Sequence, residues 1–113
     1  MDSRLRAIEL EYRMTSAFQR GGWDVDRTGR YDILLCHDGH EIGIVECIFA
    51  YNENPFPVRD AKRIKKFFNQ DIPLFILTDG ANYEVYYDGQ FIGSMTVPLS
   101  YAGYTYTRCG NAD

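Results

Sequence analysis

The sequence predicts a single α/β domain built on a mixed β-sheet with helices packed against it. Three observations carry this expectation. Apolar residues recur with helical spacing near the N-terminus. Short runs rich in Val, Ile, Leu, Tyr and Phe recur between turn signals along the rest of the chain. One basic stretch of helical length separates two of those runs. A chain of 113 residues is one domain by size, and it can bury a core without disulfides or metals.

Residues 3–19 read as a helix. Ala7, Leu10, Met14, Ala17 and Phe18 fall on one face, and Leu5, Ile8 and Tyr12 form a second stripe nearly opposite. Apolar residues on two sides suggest contacts on both, with a sheet and with a partner. Gly21 and Gly22 end the helix. Residues 23–26 form a short first strand, 31–36 an apolar second strand and 41–50 a third. Asp38-Gly39 between the last two has hairpin chemistry. Both runs are too apolar for a sheet with one wet face, so both faces are expected to be covered. Residues 52–57 form a loop, with two prolines and two asparagines. Residues 58–68 form a helix rich in Arg and Lys, and 74–77 a short buried strand. Thr78-Asp79-Gly80 is a turn. Residues 83–87 and 90–94 form a hairpin around Asp88-Gly89. Beyond residue 95, Tyr101, Tyr104 and Tyr106 stand at near-alternating positions, which suggests an edge strand or a tail over 96–113 outside a core of residues 5–95. The order is α-β-β-β-α-β-β-β. A crossover through the helix at 58–68 makes the third and fourth strands parallel, and the hairpins make the rest antiparallel.

Composition narrows function. Hydrophobic residues at 45% and charged residues at 25% describe a globular chain rather than a disordered one. A net charge of -4 argues against a protein that coats nucleic acid non-specifically, so any such contact must use a local patch. The acidity is also too weak for a DNA mimic. Cys36, Cys47 and Cys109 include no C-x-x-C pair, which argues against structural zinc, and Cys36 and Cys47 read as small buried hydrophobes. The N-terminus is charged, and no apolar run approaches the roughly 18 residues of a membrane span. A cytoplasmic, reducing location and no membrane partner are expected.

Two carboxylates stand out. Asp32 opens the apolar strand Tyr31-Asp32-Ile33-Leu34-Leu35, and Glu46 lies inside Ile44-Val45-Glu46-Cys47-Ile48. A tight turn joins the two strands, so both side chains can meet at one end of the sheet. A charged Glu among Ile, Val and Cys is costly unless it is paired or bound to metal. Two converging carboxylates suit Mg²⁺, which takes one or two of them with waters and phosphate oxygens. The plainer alternative is structural: Asp32 caps a turn or pairs with Arg30, and Glu46 pairs with a lysine from the helix at 58–68.

These segments resemble the PD-(D/E)XK nuclease superfamily, and within it the N-terminal nuclease domain of type I restriction enzyme motor subunits. The resemblance runs over residues 5–93. It rests on Gly22-Trp23 after the first helix, on Tyr31-Asp32-Ile33-Leu34-Leu35, on Ile44-Val45-Glu46-Cys47, and on Phe75-Ile76-Leu77-Thr78-Asp79-Gly80 followed by residues 83–87. It implies a restriction-endonuclease-like mixed sheet flanked by helices, with Asp32 and Glu46 as metal-binding catalytic acids for Mg²⁺ or its substitute Mn²⁺. It also implies that Glu11 on the first helix adds a metal ligand.

Two departures matter. Tyr31 stands where the family has proline, and Ile48 stands where it has the motif lysine. Some members of the superfamily take that lysine from the second helix, which makes Lys62 and Lys66 candidates, sharing a face at i, i+4. Alternatively, Arg59, Lys62, Arg63, Lys65 and Lys66 are a solvated helix face or a set of phosphate contacts. His37 and His40 sit in a turn, where exposed histidines are ordinary. The resemblance therefore implies a nuclease-like module with impaired catalysis that binds DNA, a protein partner or a second copy of itself. Its alternative is an active Mg²⁺-dependent endodeoxyribonuclease whose lysine has migrated to Lys62 or Lys66.

Overall fold

The computed structural model describes residues 3–27, 29–48, 68 and 71–110. Among them the element order is α1 (Ser3–Arg20), β1 (Asp24–Asp26), β2 (Ile33–His37), β3 (His40–Cys47), β4 (Leu74–Thr78), β5 (Tyr83–Tyr87), β6 (Gln90–Met95) and α2 (Tyr101–Gly110). The six strands form one mixed sheet in chain order from β1 to β6. Only β3 and β4 pair in parallel, with Gly43 opposite Leu74 and Cys47 opposite Thr78. A parallel pair needs a long crossover, and residues 48–73 supply it. The basic segment predicted as a helix over 58–68, with Arg59, Lys62, Arg63, Lys65 and Lys66, lies outside the described residues except for Phe68.

Leu10, Met14 and Phe18, at i, i+4 and i+8, are the buried stripe of α1. Its end follows the Schellman pattern. The Trp23 N–H donates to Phe18 O and the Gly22 N–H to Gln19 O, with Gly22 at φ 93° in the left-handed region that favours glycine. Of the second apolar stripe of α1, Ile8 and Tyr12 are exposed on the single chain. The two Asp-Gly hairpins form as predicted. Asp38 and Asp88 have φ 50°, with Gly39 at 78° and Gly89 at 81°, the pairing that a two-residue type I′ turn requires.

The sheet has apolar side chains on both faces. Strand alternation sends Ile33, Leu35, Val45 and Ile76 toward α1, where they pack with Phe18, Trp23 and Leu99. Leu34, Ile44, Ile48, Phe75, Leu77 and Tyr86 form a second cluster on the other face. Phe68 joins that cluster, its ring centroid 5.8 Å from Phe75 and 6.0 Å from Tyr86.

Residues 101–110 correct the sequence reading. They form a helix rather than an edge strand or tail. Tyr101 and Tyr104 stand three apart, on one helical face, and both pack on Trp23 at centroid distances of 5.2 and 5.5 Å. Ser100 caps the helix: its Oγ accepts the Gly103 N–H at 2.9 Å. The Trp23 indole N–H donates to Leu99 O at 2.8 Å, and the Tyr101 N–H to Gly21 O at 2.8 Å, tying α2 to the end of α1. No helix among the described residues is long and apolar enough to cross a membrane.

Candidate functional site

The antiparallel register of β2 and β3 sets Ile33 opposite Val45. One step outward, Asp32 stands opposite Glu46. Because strand side chains alternate, this pair lies on the face away from α1, with Ile44 and Ile48. The two carboxylates take over where the backbone ladder stops. The Asp32 N–H donates to Glu46 Oε2 at 3.1 Å, and the Cys47 N–H donates to Asp32 Oδ2 at 2.8 Å. Glu46 is only 7% exposed. Burial pushes its pKa from 4.5 up to about 8, and the hydrogen bond and charge of Asp32 push the same way, with a further contribution from the charge of Glu11. At neutral pH Glu46 therefore keeps its proton.

Glu11, the third predicted acid, is half-buried on α1 and engaged by a cation. Arg27 Nη2 lies 3.0 Å from Glu11 Oε1, and the guanidinium stacks 4.5 Å from the centroid of the Tyr12 ring. Arg27 was not legible in the sequence. No spacing rule links positions 11 and 27. The contact exists because the turn at Gly21-Gly22 folds β1 back beside α1.

Ile48 is buried in the second apolar cluster, on the same face as Glu46 and two residues beyond it. Its N–H donates to Thr78 O at 2.8 Å. An aliphatic side chain thus stands at the position where the sequence resemblance implied a lysine. Lys62 and Lys66, proposed as its replacement, lie outside the described residues, as do Arg59, Arg63 and Lys65.

The remaining polar residues divide between structure and site. His37 and His40 sit at the opposite end of β2 and β3, about 17 Å along the strands from Asp32. His37 stacks on Tyr101 with ring centroids 3.7 Å apart and lies 3.4 Å from Asp38 Oδ2, both structural contacts. Asp79 Oδ1 accepts the N–H groups of Ala81 and Asn82 at 2.9 and 2.8 Å, an Asx turn that fixes the loop after β4. Cys36 and Cys47 are half-buried free thiols rather than fully buried residues, and burial raises the pKa of both. A second acid went unnoticed in the sequence. Glu84 is fully buried and accepts the Tyr86 O–H at 3.0 Å. The register runs Glu46–Leu77–Glu84, so both glutamates lie on one face, about 10 Å apart across two strand spacings. Tyr-Glu-Val-Tyr-Tyr alternates as a half-buried strand would, and nothing in that pattern distinguishes a buried Glu from a solvated one.

The donor chemistry suits a hard divalent cation. Asp32 and Glu46 each have a second oxygen beyond the one that accepts a main-chain N–H, and Mg²⁺ or Mn²⁺ takes one or two such carboxylates with waters. Among the described residues, no group of three or more His, Cys, Asp or Glu side chains is arranged to hold a metal ion. Glu11 directs Oε1 to Arg27 instead. No family model, curated protein or solved structure matches the chain.

Proposed function

We propose that the chain is a restriction-endonuclease-like domain of the PD-(D/E)XK kind, which binds DNA at the Asp32–Glu46 end of its sheet without cleaving it. One juxtaposition carries this reading. A buried Glu46 that keeps its proton stands beside Asp32 on the neighbouring strand, and the next residue on that face is the buried Ile48. A Glu that must stay protonated to remain buried does little for stability, because an apolar or amide side chain would sit there at lower cost. Such a group is better explained by a ligand than by packing.

Asp32 and Glu46 would hold Mg²⁺ or Mn²⁺. The cation would supply charge neutralisation for a phosphodiester and a bound water. The chain's own residues set the limits of the chemistry. The Cys47 N–H fixes the orientation of the Asp32 carboxylate. Ile48 offers no ammonium to orient an attacking water or to offset charge developing on phosphate. Arg59, Lys62, Arg63, Lys65 and Lys66 supply the phosphate contacts in this reading.

The test combines binding and cleavage. Duplex DNA binding, followed by fluorescence anisotropy with Mg²⁺ present, is expected to weaken steeply as salt rises. Plasmid DNA is expected to stay intact with Mg²⁺ or Mn²⁺, for wild type and Glu46→Ala alike. Absent or salt-insensitive binding overturns the DNA reading and favours a protein partner. Cleavage by wild type that Glu46→Ala abolishes overturns the non-catalytic half, and assigns the missing positive charge to Lys62 or Lys66.

A further inference from the structure

The two Asp-Gly hairpins are built to one plan. Asp38-Gly39-His40-Glu41-Ile42-Gly43 and Asp88-Gly89-Gln90-Phe91-Ile92-Gly93 share the turn, an isoleucine three residues past its glycine, and a second glycine after that. Each isoleucine is the extra residue of a bulge. The register passes from Leu35–Gly43 to Cys36–Glu41 in one hairpin, and from Val85–Gly93 to Tyr86–Phe91 in the other. The second glycines differ in what they face. At Gly43 a Cβ would stand 3.0 Å from Leu74 Cδ2, so glycine there lets the side chain of the next strand approach. At Gly93 a Cβ would meet nothing within 4 Å.

The backbone makes no demand for glycine at residue 93. Its φ lies outside the left-handed region, unlike that of Gly89, and a glycine inside a strand costs stability. Cross-strand partners share a face, so a side chain at Gly93 would point with that of Val85, toward the α1 side of the sheet. A cavity of about 280 Å³ lies there, between β5, β6 and α2. Leu74, Val85, Met95 and Leu99 give it apolar walls. Tyr87 and Tyr104 line it too, with ring centroids 6.4 Å apart. Ile92 also lines it and is 50% exposed, so the cavity opens to solvent beside β6.

We propose that the cavity beside Gly93 is a binding site for a small, neutral, aromatic molecule the size of two fused rings. Size, charge and lining select this ligand. A protein cavity of about 150 Å³ takes benzene, so one near twice that volume takes two rings and excludes a peptide. No charged side chain lines it, and from residue 89 to residue 107 the sequence contains no Asp, Glu, Lys, Arg or His. An ion entering there would lose its water and find no partner for its charge. Tyr87 and Tyr104 offer rings and Met95 a thioether sulfur, groups that contact an aromatic ring with favourable geometry beyond plain burial. An apolar side chain at residue 93 would fill the same space and add to the core, yet glycine stands there and keeps it open. The site is separate from the Asp32–Glu46 pair, which lies on the other face of the sheet.

Indole, neutral and bicyclic, is the probe. Titrated into the full chain and followed by amide NMR, it is expected to give saturable shifts centred on Gly93, Ser94, Met95 and Leu99. Indole-2-carboxylate, which adds a charge to the same rings, is expected to bind more weakly by about tenfold or more. Gly93→Val is expected to abolish indole binding and to raise the melting temperature by about 4 °C, because its methyl groups enter empty space within a strand. A glycine kept for the strand's own geometry predicts the reverse, a variant less stable than wild type. No saturable shift up to the solubility of indole overturns the proposal. So do shifts centred elsewhere, equal binding of the carboxylate, unchanged indole affinity in Gly93→Val, or a Gly93→Val chain that is less stable or fails to fold.

Discussion

The two faces of this sheet are made of the same strands and both bury apolar side chains, but among the described residues only one of them also buries carboxylates. Toward α1 the strands present Ile33, Leu35, Val45, Ile76 and Val85, and the polar groups there are absorbed into structure. The Trp23 N–H meets Leu99 O, and Thr78 Oγ1 accepts the Gly80 N–H and donates to Asn82 O. Away from α1, the same alternation places Asp32, Glu46 and Glu84 among Leu34, Ile44, Ile48 and Leu77. The first face is built for stability alone. The second retains carboxylates in an apolar setting, where burial works against their charge. Selection for folding explains the first face and leaves the second unexplained, which is why the functional reading rests on the second.

The largest expected effect breaks the first face. Phe18 is fully buried on α1, with its ring edge-on to Tyr83 at 6.1 Å. Phe18→Ala should lower stability to urea by about 4 kcal/mol through lost burial and the cavity left behind. Yet the Asp32–Glu46 pair lies on the other side of the sheet, so in the folded fraction Glu46 should titrate as in wild type. A shift of Glu46 in carboxyl NMR of the folded variant would show that the two faces are coupled.

The second effect runs against the usual direction of a mutation. Glu46 binds its proton more tightly when folded than the ordinary value of 4.5, with its pKa at about 8. The proton-linked stabilisation is complete below that ordinary value and is lost as pH rises through about 8. Glu46→Gln keeps an oxygen to accept the Asp32 N–H and carries no ionisable proton. It should come close to wild type near pH 5 and exceed it by about 4 kcal/mol above pH 8 in chemical denaturation. Mg²⁺ should raise the melting temperature of wild type and not of the variant, because a cation favours the ionised pair. If the two proteins show parallel stability profiles from pH 5 to 9, the buried proton assigned to this face is absent.

Much of the fold was legible because it is written in local signals. Asp38-Gly39 and Asp88-Gly89 fix two hairpins, Gly21-Gly22 ends α1, and a long basic stretch between apolar runs gives the parallel β3–β4 pair. The convergence of Asp32 and Glu46 followed from the first of those hairpins. What escaped depended on contacts distant in sequence. Tyr101, Tyr104 and Tyr106 look like strand alternation until Ser100 is recognised as a cap and Trp23 as the surface that receives them. Arg27 finds Glu11 only after the chain reverses, and Glu84 is buried only because β5 lies inside the sheet. In each case the residue type is ordinary and its surroundings are not, and surroundings are set by packing.

The smallest expected effect on stability sharpens the comparison most. Arg27 and Glu11 form a partly exposed ion pair, so Arg27→Gln should change stability by no more than about 0.5 kcal/mol. Electrostatically it should matter more. Glu11 already raises the proton affinity of Glu46, and Arg27 holds Glu11 by a direct bond. Removing the guanidinium leaves that negative charge uncompensated, so the Glu46 titration should move higher still. Left uncompensated, the Glu11 charge also favours a cation at the pair, so Mg²⁺ binding, measured by calorimetry at pH 8, should tighten. Both changes should disappear in Arg27→Gln/Glu11→Gln. An unmoved titration together with unchanged Mg²⁺ affinity would mean that the acids away from α1 act as an isolated pair, and that the α1 edge contributes nothing to the site.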